Sequence, residues 1–163
     1  MSSSDRRTFL TLLAALPLAG CGFAPVYGTG GVGLALRNQV LVAAPDTRLG
    51  FELVARLEER LGRPNGAAYA LGYTITTSTT DLAITGANDI TRININGTVD
   101  FVLTELATDA QILADSVSSF AAYSTTGSSV ATAAAERDAE DRLMTILADR
   151  LVSRLLTASS RFS

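Results

Sequence analysis

The chain has 163 residues, of which 47% are hydrophobic, 13 are basic and 16 are acidic; all basic residues are arginines, and histidine and tryptophan are absent. Without histidine, Ser-His-Asp and Cys-His catalysis are excluded, and the single cysteine cannot form a disulfide within the chain or a cysteine zinc site. The net charge of −3 argues against a nucleic-acid partner, because phosphate binding requires a basic face. We therefore expect no cofactor, no metal and no nucleic acid.

The N-terminus has the layout of an export signal. A charged leader containing Arg6 and Arg7 precedes an apolar run from Phe9 to Leu18. This run is too short for a membrane span, which needs ~20 residues, and it ends in small residues, as signal peptides do. Residues 1–20 are therefore predicted to be a cleaved signal peptide. The paired arginines are similar to a twin-arginine motif, and both the twin-arginine and the general secretory routes remain open.

Leu18-Ala19-Gly20-Cys21 matches a bacterial lipobox. In such a motif, the cysteine thiol forms a thioether to diacylglycerol, and the peptidase cleaves the Gly20–Cys21 bond. Several acyl chains anchor a protein stably, whereas one binds only marginally. We predict that Cys21 is the lipid attachment site. Gly22 stands where an aspartate would resemble an inner-membrane retention signal, which favours the outer membrane.

A flexible tether and a first strand are predicted next. Residues 21–33 contain five glycines and one proline, a composition that is poor in regular structure. In the following stretch, Leu34–Ala43, apolar side chains alternate with period two: Leu34, Leu36, Val40 and Val42. This pattern predicts a strand with one buried face.

The next segment predicts a helix over 47–62, with Asp46 as its N-cap and Gly62 at its end. An apolar stripe recurs every four residues: Leu49, Leu53, Leu57 and Leu61. Two i,i+4 ion pairs are expected on the wet side: Glu52 with Arg56, and Glu59 with Arg63.

Three strands follow. The second strand is predicted over Tyr69–Thr77, with a possible continuation through Ile84, and the turn Gly86–Asp89 leads to a strand over Ile90–Leu106. The latter strand alternates clearly between apolar and polar residues, as in a half-buried antiparallel sheet. Gly97 falls in its buried register, which indicates a bulge or a close approach.

A turn at Thr108–Ala110 predicts a hairpin to a fourth strand over Ile112–Tyr123, with Asp115 on the exposed face. Glu105, Asp109 and Asp115 form a loose acidic group. They lack the set spacing of a calcium loop, so no metal site is predicted.

The last element is a long helix over 130–157, capped by a serine of the loop Ser124–Ser129. Its predicted buried stripe is Ala139, Leu143, Ile146, Leu147, Leu151 and Leu155. Residues 159–163 are expected to fray.

The element order β-α-β-β-β-α predicts an α+β fold for one domain over 34–158. Two helices with one apolar stripe each can cover one face of a four-stranded, mainly antiparallel sheet. The result is a two-layer sandwich whose other face, rich in Thr, Asn, Ser and Asp, stays wet or meets a partner.

The segment Cys21-Gly22-Phe23-Ala24-Pro25-Val26-Tyr27-Gly28 resembles the mature start of the LPS-assembly lipoproteins called LptE, in their alphaproteobacterial form. The element order is also similar, as are the turn around Asp109, the strand ending at Tyr123 and the Ala-rich final helix. The resemblance covers roughly residues 18–156.

This resemblance implies a non-enzymatic lipoprotein on the periplasmic side of the outer membrane. LptE-like proteins sit inside the LPS-export barrel LptD, help it assemble, plug it and are associated with lipopolysaccharide binding. Family contacts to lipid A are attributed partly to basic residues. This chain is acidic and has no lysine, so no residue is assigned to lipopolysaccharide.

Two other hypotheses remain open. One is a different envelope lipoprotein, such as an auxiliary subunit of a lipid-transport ABC system, which would share the anchor and the small α+β domain. The other is a carboxylate acid–base enzyme, which would need two convergent carboxylates with perturbed pKa values.

We expect Cys21→Ser to abolish acylation and to leave the precursor uncleaved at Gly20, because a hydroxyl cannot form the thioether. Labelling with a radioactive fatty acid and the mass of the N-terminal peptide measure both effects. Gly22→Ala, which keeps the thiol, is the control. Normal labelling of the Ser variant would contradict the assignment of Cys21.

Overall fold

The computed structural model describes residues 36–84 and 90–159, and its elements follow the predicted order. They are β1 (Val40–Val42), α1 (Arg48–Leu61), β2 (Tyr69–Ile84), β3 (Ile90–Glu105), β4 (Gln111–Ser124) and α2 (Ser129–Ala158). The signal peptide, Gly20, Cys21, the tether, the turn Gly86–Asp89 and residues 160–163 lie outside the described residues.

The four strands form one sheet in the order β1-β2-β3-β4. β1 and β2 are parallel, whereas β2–β3 and β3–β4 are antiparallel. The parallel pair follows from the β1-α1-β2 connection, since parallel neighbours need a long crossover. The predicted α+β fold is therefore confirmed, with a mixed sheet that is mainly antiparallel.

Both helices lie on one face of this sheet. α2 contacts β3, β4 and α1, so it is covered on two sides. The largest buried side chains come from both layers and include Leu53, Leu57, Leu71, Phe101, Leu103, Leu143, Met144, Leu147, Leu151 and Leu155. Burial of such apolar side chains stabilises the fold by about 1.5–3 kcal/mol each.

Gly97 marks the closest approach of α2 to the sheet. A Cβ added at Gly97 would lie 3.0 Å from Cδ2 of Leu143 and 3.0 Å from Cδ1 of Leu147. The ladder is regular at this position, where Gly97 pairs with Thr77 and Ser119. Of the two predicted explanations, the close approach is therefore confirmed and the bulge is wrong.

The bounds of α1 differ from the prediction by one residue at each end, and its cap differs too. The N-cap is Thr47, whose hydroxyl accepts from the N–H of Gly50 at 3.1 Å, and not Asp46. Aspartate and threonine are both good N-caps, and the sequence alone does not show which of these two adjacent residues takes that position. Gly62 ends the helix with a φ of 77°, and an added Cβ would collide with Oδ1 of Asn38.

The first strand is much shorter than predicted, because a turn replaces its N-terminal part. Asn38 has a φ of 60°, and its N–H donates to the carbonyl of Leu61 at 2.8 Å. Asparagine tolerates this left-handed conformation, which cannot continue a strand. Leu36 and Val40 are nevertheless both buried, as the alternation predicted.

Helix α2 extends one residue further than predicted at each end, and Ser128 caps it by accepting from the N–H of Ala131. The predicted stripe is wrong at Ile146, which is 38% exposed. Four residues outside the predicted stripe are buried: Met144, Ala148, Val152 and Ala158. The buried surface of α2 is wider than one stripe, since α1 packs against a second side of this helix.

We expect Gly97→Ala to lower the free energy of unfolding by about 1 kcal/mol, because an extra methyl would crowd the fully buried side chains of Leu143 and Leu147. Urea unfolding measures the change. Gly72→Ala is the matched control, since a Cβ at Gly72 has its nearest neighbour, the carbonyl of Val102, at 4.0 Å. Equal effects of the two substitutions would contradict the close approach.

Candidate partner-binding surface

The predicted lipid site cannot be placed in the fold, because Gly20 and Cys21 lie outside the described residues. Acylation of Cys21 thus stays a prediction. In the described part of the chain, neither helix is both long and apolar enough to cross a membrane.

The face of the sheet opposite the helices is open and polar. Its side chains alternate with those of the core, and they include Thr74, Thr76, Ser78, Thr80, Asn94, Asn96, Thr98, Asp100, Ser116 and Ser118. Nδ2 of Asn96 donates to Oγ1 of Thr80 at 3.2 Å and links β3 to β2. Phe120 is the largest apolar side chain on this face, and 64% of its area is exposed. No described element covers the face.

The far half of β2 lies outside the cover of the helices, whereas its partners Ile95 and Gly97 on β3 are buried under α2. Thr77 and Thr79 are on the helix-facing side of β2, yet both are exposed. Their even-numbered neighbours Thr76 and Ser78 are exposed on the other side. This part of β2 is therefore accessible from both faces.

Arginines of α2 cover the outer edge of β4. Nη2 of Arg142 donates to the carbonyl of Ala122 at 3.3 Å, and Arg150 donates to the carbonyl of Ser118. Charged side chains that occupy edge groups hinder the addition of another strand. β4 is thus a guarded edge.

Asp115 belongs to the same boundary between β4 and α2. It pairs with Phe101 across the ladder, in the helix-facing register, and its Oδ2 lies 3.7 Å from Nε of Arg154. The prediction that Asp115 lies on the exposed sheet face is wrong, because the alternation of β4 places Asp115 with the buried Val117 on the helix side. Its side chain is nevertheless exposed at the edge of the sheet.

The two helices are joined by ion pairs across their interface. Arg56 donates from Nε and Nη2 to the two carboxylate oxygens of Asp149, at 3.0 Å each. This two-point geometry is the stronger form of an arginine–carboxylate pair. The hydrogen bond to Asp149, with one to Glu59, raises the pKa of the Arg56 guanidinium above its usual range. Arg48 forms a second link, to Asp141 at 2.9 Å and to Glu140.

The pairs predicted within α1 are therefore different in the structure. Arg56 pairs with Glu59, three residues on, and with Asp149 instead of Glu52. Arg63 pairs with Glu58 at 3.0 Å instead of Glu59. The interhelical carboxylate draws the side chain of Arg56 away from the predicted partner.

The described residues contain no group of three or more acidic or cysteine side chains that could hold a metal ion. The most prominent depression is an open groove between β4 and α2, and its lining includes Ser116, Ser118, Ile146, Arg150 and Arg154. Its surface is mixed in charge, since Asp149 also contributes to it.

The hydroxyl of Tyr73 on β2 lies beside the first turn of α1. Its hydroxyl is buried and has no hydrogen-bond partner among the described residues. A Cβ added at Gly50 of α1 would lie 3.3 Å from this oxygen. Burial, and to a lesser degree the charge of Asp46, raises the pKa of Tyr73.

The sequence matches the model of a known protein family. The family model "LptE: Lipopolysaccharide-assembly" matches residues 37–155, which include nearly all of the described domain. The chain belongs to the LptE family. No curated protein matches the sequence.

Solved structures share the fold of this LptE-family chain. A protein of Caulobacter crescentus described as a lipoprotein superposes with a TM-score of 0.67 at 20% identity, over 82% of this chain and 98% of that one. Rare lipoprotein B of Shewanella oneidensis gives a TM-score of 0.59 at 12% identity, over 76% and 96%. A minor lipoprotein of Acinetobacter baumannii gives 0.52 at 16%, over 75% and 90%.

Sequence reasoning missed the arginines that guard β4. Arg142, Ile146, Arg150 and Arg154 recur every four residues, so they share one face of α2. This spacing indicates that the arginines contact the same neighbouring surface. That this surface is the edge of β4 is known only from the folded structure.

We expect Tyr73→Phe to leave stability at pH 7 unchanged or slightly higher, since the hydroxyl it removes is buried without a partner. Because the pKa of Tyr73 is raised in the fold, the native state keeps this proton after the unfolded state has lost it. The contribution of this proton to the free energy of unfolding is therefore complete below about pH 10, the ordinary pKa of tyrosine, and is lost as the pH rises further. The variant should lose less stability than the wild type between about pH 9 and 11.

Tyr123→Phe is the matched comparison, because burial and then Glu136, which also bonds the hydroxyl, raise the pKa of Tyr123. This variant should be less stable than the wild type at pH 7. Chemical unfolding at a series of pH values measures both variants. A clear loss of stability in Tyr73→Phe at pH 7 would show that the Tyr73 hydroxyl has a partner.

Proposed function

We propose that this LptE-family protein is an outer-membrane lipoprotein that partners and fills the LPS-export barrel LptD. In this role it supports assembly of the barrel and insertion of lipopolysaccharide into the outer leaflet. The observation that carries the proposal is the family match over residues 37–155. The fold shared with three bacterial lipoproteins supports it.

The surface chemistry suits a protein enclosed by a barrel. The lumen of an outer-membrane barrel is polar, and the open face of this sheet presents mostly hydroxyl and amide groups. Transfer of a polar protein from water into such a lumen costs little hydrogen-bonding free energy, because polar groups of the barrel wall can replace the water molecules that its side chains bind.

The membrane attachment completes the proposal. Residues 1–20 are removed as the signal peptide, Cys21 carries the acyl chains, and residues 21–33 tether the domain on the periplasmic side of the outer membrane. The domain itself, residues 34–158, then reaches the barrel without inserting into lipid.

The proposed role is non-enzymatic and relies on protein contacts. The ionic groups with assigned partners work inside the fold: Arg48, Arg56, Arg60 and Arg63 each lie within 3.8 Å of a carboxylate. Arginines engaged in this way are less available for lipid phosphates. We assign no residue of this chain to lipopolysaccharide.

Affinity purification of the lipidated full-length protein from solubilised outer membranes tests the proposal. We expect a large β-barrel protein to co-purify, and depletion of the lipoprotein to lower surface lipopolysaccharide. A fusion of residues 1–33 to an unrelated folded domain is the control, and it should recover no barrel. Recovery with an inner-membrane permease instead would favour the ABC-system adaptor.

A further inference from the structure

The two outer edges of the sheet are treated differently by the fold. β4 has its edge carbonyls at Ser118 and Ala122 occupied by arginines of α2. β2 pairs with β1 only over Tyr69–Leu71, although β2 itself continues to Ile84. Among the described residues, nothing pairs with the outer side of β2 beyond Leu71, so this side is a strand edge there.

The orientation of the backbone groups on this edge follows from the bonds at its start. The N–H of Tyr69 donates to Gln39 at 3.0 Å, and the carbonyl of Leu71 accepts from Ala43 at 2.9 Å. Backbone groups alternate in direction along a strand. The N–H and C=O groups of Tyr73, Ile75, Thr77 and Thr79 therefore point away from β3, and no described residue bonds to them.

β1 cannot extend to cover this edge. The chain leaves the sheet after Val42, and Pro45 precedes the N-cap Thr47 of α1. Proline lacks the N–H that a ladder needs. The exposed stretch of β2 is thus a consequence of how α1 begins.

The edge also lacks the usual devices that prevent pairing. From Gly72 to Thr80 there is no charged residue and no proline, and the ladder to β3 is regular until the shift after Asp81. Long, uncharged edges are templates for another strand. In the part of the chain that the structure describes, the edge of β2 beyond β1 is therefore open to pairing, whereas carbonyls of the β4 edge are occupied by arginines.

We propose that the bare edge of β2, from Tyr73 to Thr79, binds an extended segment of the barrel partner by strand addition. Only an extended polypeptide presents N–H and C=O groups at the spacing that this edge requires. Small hydroxyl side chains occupy one face of the edge at Thr74, Thr76 and Ser78 and the far part of the other face at Thr77 and Thr79. They fit a polar segment such as the barrel lumen offers. The inference rests on the proposed function, since the occupant belongs to that barrel.

Residue-resolved hydrogen exchange of the full-length lipidated protein, alone and in the purified barrel complex, tests this inference. Alone, the amides of Ile75, Thr77 and Thr79 should exchange faster than those of Thr76 and Ser78, which bond to β3. In the complex, the three edge amides should slow by about 100-fold or more, as buried ladder amides do.

Substitutions separate backbone pairing from side-chain contact. Thr77→Pro removes one outward N–H and leaves the ladder to β3 intact, so barrel recovery should fall about 3- to 10-fold. Thr77→Ala keeps the N–H and should recover the barrel normally. If circular dichroism shows that Thr77→Pro is unfolded, Thr79→Pro supplies the same test nearer the end of the strand.

The outcomes distinguish this inference from the function on which it rests. Failure to recover any barrel would overturn both. A barrel that co-purifies while the edge amides keep their exchange rates would overturn only the strand addition. Protection that depends on protein concentration without the barrel would overturn it too, because a second copy of this chain would then be the occupant.

Discussion

The burial of α2 on two sides is the constraint on which the rest of this fold depends. On one side, Leu143 and Leu147 press against the sheet where Gly97 leaves room. On the other side, α1 is held by the bidentate pair between Arg56 and Asp149. With both helices stacked on one face of the sheet, the opposite face is open, and most of its side chains are polar, with Phe120 as an exposed apolar exception. The candidate partner-binding surface is therefore the sheet face that the helices do not cover.

Most of the fold could be predicted from local patterns. Element order and both helices to within one residue at each end follow from period-two and period-3.6 alternation. The alternation also placed Gly97 in the buried register but left a bulge and a close approach both open. The predicted length of the first strand was wrong, because the alternation that includes Leu36 and Val40 indicates which side chains are buried and does not establish that the backbone is extended. The turn depends on the left-handed Asn38, whose N–H bonds to Leu61, and that contact is not visible in a local window.

The candidate surface was predictable only in its chemistry. The abundance of Thr, Ser and Asn on one sheet face followed from the alternation of β3. The environment of Asp115 and the exposure of Ile146 did not, because both depend on where α2 lies against β4. The contrast between the guarded edge of β4 and the bare edge of β2 likewise depends on the relative lengths of paired strands, which no single segment encodes.

The chain separation of the two helices has a consequence for how the protein matures. The bonds that join them link residues 92 and 93 positions apart, whereas the three long strands form a meander of neighbours. Contacts of long sequence separation form late, because closing a large loop is entropically costly. The apolar side of the meander is therefore left without its cover until the last thirty residues dock. Proteolysis or truncation within that C-terminal segment would expose the inner face of β3 and β4, which α2 covers, to chaperones and proteases of the envelope.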